Sequence, residues 1–217
     1  MKTILLFCII GLFLLLACNK DCRESGNYNF QLSATLSPAQ DTFRMGDTIT
    51  IISTFSDEVY EKYNNEYYHL VDFKFYPSTF IQKIDINPSI DGLDDFDIII
   101  PDSSLYYTHF NNGDSWLYGE YTYNNAQYSL SFQLVPRERG LYYLEQAASP
   151  DLDNNQTFDG VCKRNPFFRA AVNLNNGDDN NIDLLQQSPD THYNTWIPQK
   201  PQDRFYRFGG YVFYVTE

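Results

Sequence analysis

The chain has few of the residue types on which enzymes and nucleic-acid-binding proteins depend. It contains three histidines, and 15 lysines and arginines against 28 aspartates and glutamates, for a formal charge of −13. So acidic a chain argues against nucleic acid as a partner, because phosphate contacts need clustered cations. No HExxH, GxSxG, P-loop or GxGxxG pattern occurs. These absences predict a protein that is not an enzyme and has no catalytic residue.

Long hydrophobic runs are lacking beyond the first 17 residues. Lys2 precedes an apolar run that ends in Leu15-Leu16-Ala17-Cys18, which fits the lipobox of bacterial lipoproteins. The run is too short to span a bilayer comfortably, and a polar segment follows it at once. We therefore expect residues 1–17 to be a cleaved signal peptide, Cys18 to carry the lipid, and residues 18–27 to be a lipidated tether. The expected location is the outer membrane, anchored by lipid, on the cell surface or the periplasmic face.

Cysteine is scarce, and its four positions differ in their expected fates. Cys8 leaves with the signal peptide and Cys18 is acylated, so Cys22 and Cys162 remain. An even pair in an oxidising compartment predicts a disulfide that joins the start of the domain to a distant loop. The alternatives are two free thiols, or a Cys22 that lies in a flexible tether.

Apolar and polar residues alternate with a period of two along much of the rest of the chain, and no long amphipathic helix is evident. The alternation is clear from Tyr28 to Ala34, from Ile49 to Phe55 and from Phe168 to Leu174. Such strands, separated by turn residues, are typical of sandwich folds. We expect an all-β fold in which residues 28–217 form a single antiparallel immunoglobulin-like β-sandwich.

Two further patterns predict individual strands. Alternation from His69 to Phe75 predicts a strand that ends before Pro77. Asn124-Asn125 separates residues 117–123 from the alternating residues 128–134, which predicts a β-hairpin.

Several segments resemble uncharacterised flavobacterial-type lipoproteins of the Bacteroidota. The resemblance rests on the lipobox with its short tether, on Phe43–Ile49 (FRMGDTI), on Arg139–Leu144 (RGLYYL) and on Gly209–Val215 (GGYVFYV). It implies an immunoglobulin-like β-sandwich after the lipid anchor. No activity is implied by the resemblance.

One acidic loop has oxygen-bearing side chains at every second position. Calcium takes six to eight oxygen ligands, so this spacing predicts a calcium-binding loop. Gln156 and Cys162 stand where an EF-hand-type loop has glycine and glutamate, so a solvated acidic loop is the alternative. No other cofactor is expected. The candidate ligands are Asp151, Asp153, Asn155, Thr157 and Asp159.

Aromatic residues supply the second candidate site. In the pairs Tyr67-Tyr68, Tyr106-Tyr107 and Tyr142-Tyr143, neighbours on a strand face opposite ways, so one ring of each pair leaves the core. Such rings, with Trp116 and Trp196, are candidates for stacking on sugars, although tyrosine also suits ordinary strand surfaces. We expect a non-enzymatic module that binds a glycan or an envelope or host protein at the outer membrane. The alternative is a periplasm-facing structural or accessory subunit of an envelope protein complex.

Overall fold

The computed structural model consists of two β-sheets that pack face to face. It describes residues 26–101, 106–151, 156–161, 166–178 and 180–217. This arrangement confirms the predicted all-β sandwich. No helix in the described ranges combines the length and hydropathy that a membrane crossing requires.

The first sheet has eight strands. They are β1 (Asn27–Ser37), β3 (Ile49–Ser56), β4 (Glu58–Glu61), β5 (Glu66–His69), β8 (Phe96–Ile99), β11 (Thr122–Asn124), β12 (Gln127–Pro136) and β14 (Phe167–Leu174). Their order is β11-β12-β3-β1-β4-β5, with β14 paired to β1 and β8 paired to β12.

The second sheet has seven strands. They are β2 (Thr42–Arg44), β6 (Phe75–Lys83), β7 (Ile90–Asp91), β9 (Tyr106–Asn111), β10 (Asp114–Gly119), β13 (Gly140–Pro150) and β15 (Gly210–Thr216). Their order is β2-β15-β13-β6-β10-β9, with β7 paired to β6.

Most neighbouring strands are antiparallel, and two pairs are parallel. Strand β14 runs parallel to β1, beginning with Asn27 opposite Phe167. Strand β15 runs parallel to β2, with Val215 opposite Phe43. The chain returns to these positions through long connections, which a parallel pair requires.

The core lies between the sheets and is rich in aromatic rings. Alternation along β1 places Tyr28, Phe30 and Leu32 inward, and all three are buried. Rings from both sheets and from connecting loops meet at edge-to-face or stacked angles, which adds to the stabilisation from burial. The rings around Phe30 belong to Tyr28, Tyr68, Phe73, Phe75, Phe158 and Phe168.

Residues 180–208 form a cap on the outer face of the second sheet. The cap contains a 3₁₀ turn at Ile182–Gln187 and π-helical turns at His192–Trp196 and Gln202–Tyr206. Other 3₁₀ turns lie at Leu93–Asp95 and Asn175–Gly177. The cap builds a second, smaller apolar cluster from Ile84, Leu141, Tyr143, Leu185, Tyr193, Ile197, Phe205 and Val212.

The strand predicted from His69 to Phe75 is wrong. Strand β5 ends at His69, the chain turns, and β6 begins at Phe75. The hydroxyl of Tyr128 accepts a hydrogen bond of 2.6 Å from the Phe73 nitrogen and donates to the Leu70 carbonyl, so it holds the turn in the core. Pro77 lies inside β6, one residue beyond the last residue that pairs with β10, so its missing N–H breaks no bond to that strand.

The hairpin predicted around Asn124-Asn125 is confirmed, with a difference in its first strand. Strands β11 and β12 pair across a turn in which Asn125 and Ala126 have positive φ. Residues 117–119 belong instead to β10 in the second sheet. The chain crosses between the sheets near Tyr121, which is buried and bonded to Ser53.

Candidate binding surface

Six aromatic side chains share the outer face of the second sheet beside the cap. Residues directly opposite each other in a sheet point to the same face, and so do alternate residues of one strand. Trp116 is opposite both Phe80 and His109, and Tyr118 is opposite Tyr107. We call this surface the aromatic face, and it consists of Tyr76, Phe80, Tyr107, His109, Trp116 and Tyr118.

The rings of the aromatic face pack against one another across the strands. The ring centroids of Phe80 and Trp116 are 5.3 Å apart at an interplanar angle of 19°. Those of Tyr107 and Tyr118 are 5.6 Å apart at 23°, and His109 meets Tyr118 edge-on at 6.0 Å. Tyr107 is 63% exposed. The result is a row of flat, partly exposed rings that carry hydroxyl and imidazole groups at their edges.

A tight hairpin positions the outer half of this face. Ser115 and Leu117 of β10 are buried, so the alternating Trp116 and Tyr118 point outward. Strands β9 and β10 are joined by Asn112-Gly113, both with positive φ, which is the turn chemistry that two-residue hairpins favour. The Asn112-Gly113 pair is visible in the sequence and is the local signal for this hairpin, which the patterns of apolar alternation do not reveal.

The tyrosine pairs behave as the alternation predicts, with one exception. Tyr67 and Tyr107 are exposed, whereas their neighbours Tyr68 and Tyr106 pack against the core. In the third pair both rings are buried, because the cap covers the outward ring of Tyr143.

The second predicted stacking residue, Trp196, lies in the cap and outside the aromatic face. Its ring stacks on His192 at 4.8 Å, and the Arg204 guanidinium lies 3.8 Å from its centroid. Burial and the nearby Arg204 charge lower the pKa of His192 despite the opposing pull of Asp190, which favours the neutral imidazole. Trp196 remains 45% exposed, and no ring contact among the described residues links it to Trp116.

A groove of about 730 Å³ lies at the border between the two sheets and the cap. It is lined by the outer faces of β1 and β14, by the end of β13 and by the second π-helical turn. Three cations, Lys62, Arg169 and Arg207, line it together with one carboxylate, Asp203. No basic patch is evident in the sequence, because these cations come from distant segments.

Contacts within the groove arrange its charged side chains. The Arg169 guanidinium lies 5.1 Å from the ring centroid of Phe167. The Arg207 guanidinium lies 4.5 Å from the ring centroid of Phe208. Asn29 is 8% exposed and directly opposite Arg169 on the neighbouring strand. Planar guanidinium groups held on rings keep their N–H edges available for a carboxylate or sulfate.

The described part of the predicted calcium loop holds three of its five candidate ligands. Asp151 is buried and accepts a hydrogen bond of 3.3 Å from the Tyr76 hydroxyl, while Thr157 and Asp159 are exposed. Asp153 and Asn155 lie outside the described residues, and among those described no three His, Cys, Asp or Glu side chains form a metal-binding group. The calcium loop therefore stays a prediction. Calcium that binds the folded chain raises its melting temperature, whereas a solvated loop leaves it unchanged.

The three cysteines with predicted roles also lie outside the described residues. These are Cys18, predicted to carry lipid, and Cys22 and Cys162, predicted to form a disulfide. Both assignments stay predictions.

Comparison with known proteins finds no matching family model and no matching curated protein. Among solved structures, the chain is similar to the second type II cohesin module of the adaptor scaffoldin ScaA from Acetivibrio cellulolyticus. The TM-score is 0.30 at 8% identity, over 64% of this chain and 86% of that one. It is also similar to a serine-rich repeat adhesion glycoprotein from Streptococcus agalactiae. There the TM-score is 0.22 at 11% identity, over 58% of this chain and 44% of that one. The resemblance to Bacteroidota lipoproteins stays a prediction.

Proposed function

We propose that this chain is a non-enzymatic glycan-binding module, anchored by lipid at Cys18 to the outer membrane. The observation that carries the proposal is the aromatic face, in which Trp116 lies between Phe80 and His109 on neighbouring strands.

The chemistry of the aromatic face suits a sugar better than an aliphatic partner. A pyranose ring has an apolar C–H face and a rim of hydroxyls, and it stacks on aromatic rings while its hydroxyls bond to polar groups nearby. Tyr107 and Tyr118 provide hydroxyls, and His109 adds an imidazole at the edge. Burial and the Asp151 carboxylate raise the pKa of Tyr76, so its hydroxyl stays protonated. Because that proton is donated to Asp151, the oxygen is left to accept a hydrogen bond from a sugar hydroxyl.

Affinity electrophoresis of the full chain in gels that contain neutral or acidic polysaccharides tests the proposal. Trp116→Ala and Tyr107→Ala each remove one ring, and we expect each to weaken binding by about 1–2 kcal/mol, or roughly five- to thirtyfold. Tyr67→Ala is the matched control, because it removes a 66% exposed ring from the other sheet. Equal retention of binding by all three variants would rule out the aromatic face. Trp196→Ala tests separately whether the second predicted tryptophan contributes.

Anchoring and orientation need their own test. Cys18→Ser is expected to abolish incorporation of labelled palmitate and to move the protein from the detergent phase to the aqueous phase. Protease treatment of intact cells then distinguishes the two locations. Digestion without lysis places the domain on the surface, as a binding module for external glycans requires. Protection until lysis favours the alternative of a periplasm-facing accessory subunit.

A further inference from the structure

The groove beside the aromatic face gathers cations in a chain that is strongly acidic as a whole. Lys62, Arg169 and Arg207 face a single lining carboxylate, Asp203, whereas the complete chain carries a formal charge of −13. Within the described ranges, no carboxylate oxygen lies within 4.0 Å of the charged nitrogens of these three residues. Their charges are therefore available to an anionic ligand.

The groove also presents an amide that lacks a protein partner. Asn29 is 8% exposed and lines the groove, and no described residue forms a hydrogen bond with its side chain. Among the described residues only the Gln146 nitrogen is both without a partner and shut off from solvent, so the Asn29 amide reaches the groove and can bond to a ligand or to water. Further amides from Gln31, Asn173 and Gln202 line the same groove. Amides donate and accept, which suits hydroxyl groups.

The groove and the aromatic face are continuous on the second sheet. Ala147 and Ser149 of β13 line the groove and are directly opposite Ser78 and Tyr76 of β6. Two residues earlier on β13, Glu145 is opposite Phe80, and burial raises its pKa while the nearby charge of Arg207 opposes that rise. Neighbouring strands are about 4.8 Å apart, so an extended polymer laid across them reaches from the cations to the exposed rings.

We propose that the groove binds the acidic groups of an anionic polysaccharide whose adjoining sugars stack on the aromatic face. This inference rests on the proposed function, because it names the class of glycan. A flat membrane surface does not enter a concave groove, and the hydroxyl and imidazole edges of the aromatic face suit the hydroxyl-rich rims of sugars. Guanidinium groups bind carboxylates and sulfates in the same two-pronged way, so uronic acids and sulfated sugars share this chemistry.

The test compares two double variants that remove the same charge from the full chain. Arg169→Gln with Arg207→Gln alters the groove, and Lys74→Gln with Arg139→Gln removes two exposed cations elsewhere, each paired to a carboxylate. The probes are polygalacturonate, dextran sulfate, neutral dextran and poly-glutamate, each measured by calorimetry at two ionic strengths. We expect the groove variant to bind polygalacturonate or dextran sulfate about tenfold more weakly, or worse, with a smaller dependence on salt. The control variant is expected to match the unchanged chain within about twofold.

The outcomes separate this inference from the proposed function. Preference for polygalacturonate assigns carboxylate sugars, and preference for dextran sulfate assigns sulfated ones. Equal losses in both double variants overturn the groove, because overall charge then explains binding. Tight binding of neutral dextran that depends on Trp116 keeps the glycan module and overturns the acidic class. Poly-glutamate that binds as tightly as the acidic polysaccharides overturns the assignment to sugars.

Discussion

The Thr79 hydroxyl donates a hydrogen bond of 2.6 Å to the side-chain oxygen of Gln146 in the interior between the two sheets. Both side chains are buried, and the amide nitrogen of Gln146 has no hydrogen-bond partner among the described residues. A buried donor without a partner loses its hydration and gains nothing in return. The pair therefore combines one satisfied bond with one uncompensated polar group.

This pair predicts opposite effects for single and double substitutions. Thr79→Val alone leaves the Gln146 oxygen without its donor and is expected to lower the free energy of unfolding by about 1–3 kcal/mol. Thr79→Val with Gln146→Met replaces both partners by apolar groups of similar shape and is expected to restore or exceed the original stability. Urea denaturation measures both. A double variant less stable than the single one would show that the amide nitrogen has a partner.

The strand patterns of the first sheet were predictable because one side of each strand faces the core. In β1 every second residue from Tyr28 to Leu36 is buried, and β14 follows the same pattern except at the half-buried Ala170, so the alternation is visible in the sequence. The segment from His69 to Phe75 shows the same alternation for another reason. Leu70 and Phe73 are both buried in a turn that a distant residue, Tyr128, holds in place. A local pattern does not distinguish these cases.

The aromatic face was partly predictable, and the groove was not. Trp116 was a candidate from its residue type, and Asn112-Gly113 would have revealed the hairpin that carries it. The groove depends on which strands are neighbours, since Arg169 and Arg207 come together only through the parallel pairing of β14 and the path of the cap. The cap itself has no periodic pattern, because short turns rather than a long helix bury its apolar residues.

Gly210 is required where the last strand passes beneath the cap. A Cβ atom at this position would lie 2.7 to 2.9 Å from three ring atoms of Phe205, which is itself fully buried. Gly210→Ala is expected to lower the free energy of unfolding by about 1–3 kcal/mol, because the fully buried ring must shift within the packed cap to make room for the methyl group. In a Phe205→Leu background the same substitution is expected to have a smaller effect. Chemical denaturation of the four proteins of this cycle gives the coupling, and an equal effect in both backgrounds would exclude Phe205 as the cause.

The register of β1 and β14 supports the predicted disulfide. The two strands run parallel from the directly opposite pair Asn27 and Phe167, and Cys22 and Cys162 each lie five residues before that pair. The Phe167 nitrogen also donates to the Gly26 carbonyl, so the described chain begins beside Phe167, and both cysteines are a few residues away along the sequence. We expect neither thiol to react with an alkylating reagent until the protein is unfolded and reduced.

Loss of the predicted disulfide has a defined effect on stability. Cys22→Ser with Cys162→Ser is expected to lower the free energy of unfolding by about 2–5 kcal/mol, since the bond closes a long loop in the unfolded chain. Each single serine variant is expected to lose as much free energy of unfolding as the double variant, because one cysteine alone forms no intramolecular disulfide. Alkylation of both thiols without reduction would contradict the prediction.

Glu145 makes the stability of the cap side of the second sheet depend on pH. Burial raises the pKa of its carboxyl, while the hydrogen bond from Tyr143 and the charge of Arg207 act in the opposite direction. A carboxyl whose pKa is higher in the folded state binds its proton more tightly there. Its contribution to stability is therefore present at acid pH and is lost as the pH rises from the ordinary glutamate pKa of about 4.3 through the raised folded value.

Glu145→Gln removes this loss of stability at rising pH, and the glutamine keeps a side-chain oxygen that accepts the 2.6 Å hydrogen bond from the Tyr143 hydroxyl. The variant and the unchanged chain are expected to have similar stability below about pH 4, and the variant is expected to be more stable at neutral pH. Arg207→Gln is expected to move the transition to higher pH, because the folded carboxylate then lacks its nearby positive charge. Melting temperatures across pH 3–8 check both expectations. A stability difference that is the same at every pH would mean that Glu145 has the same pKa in the folded and unfolded chains.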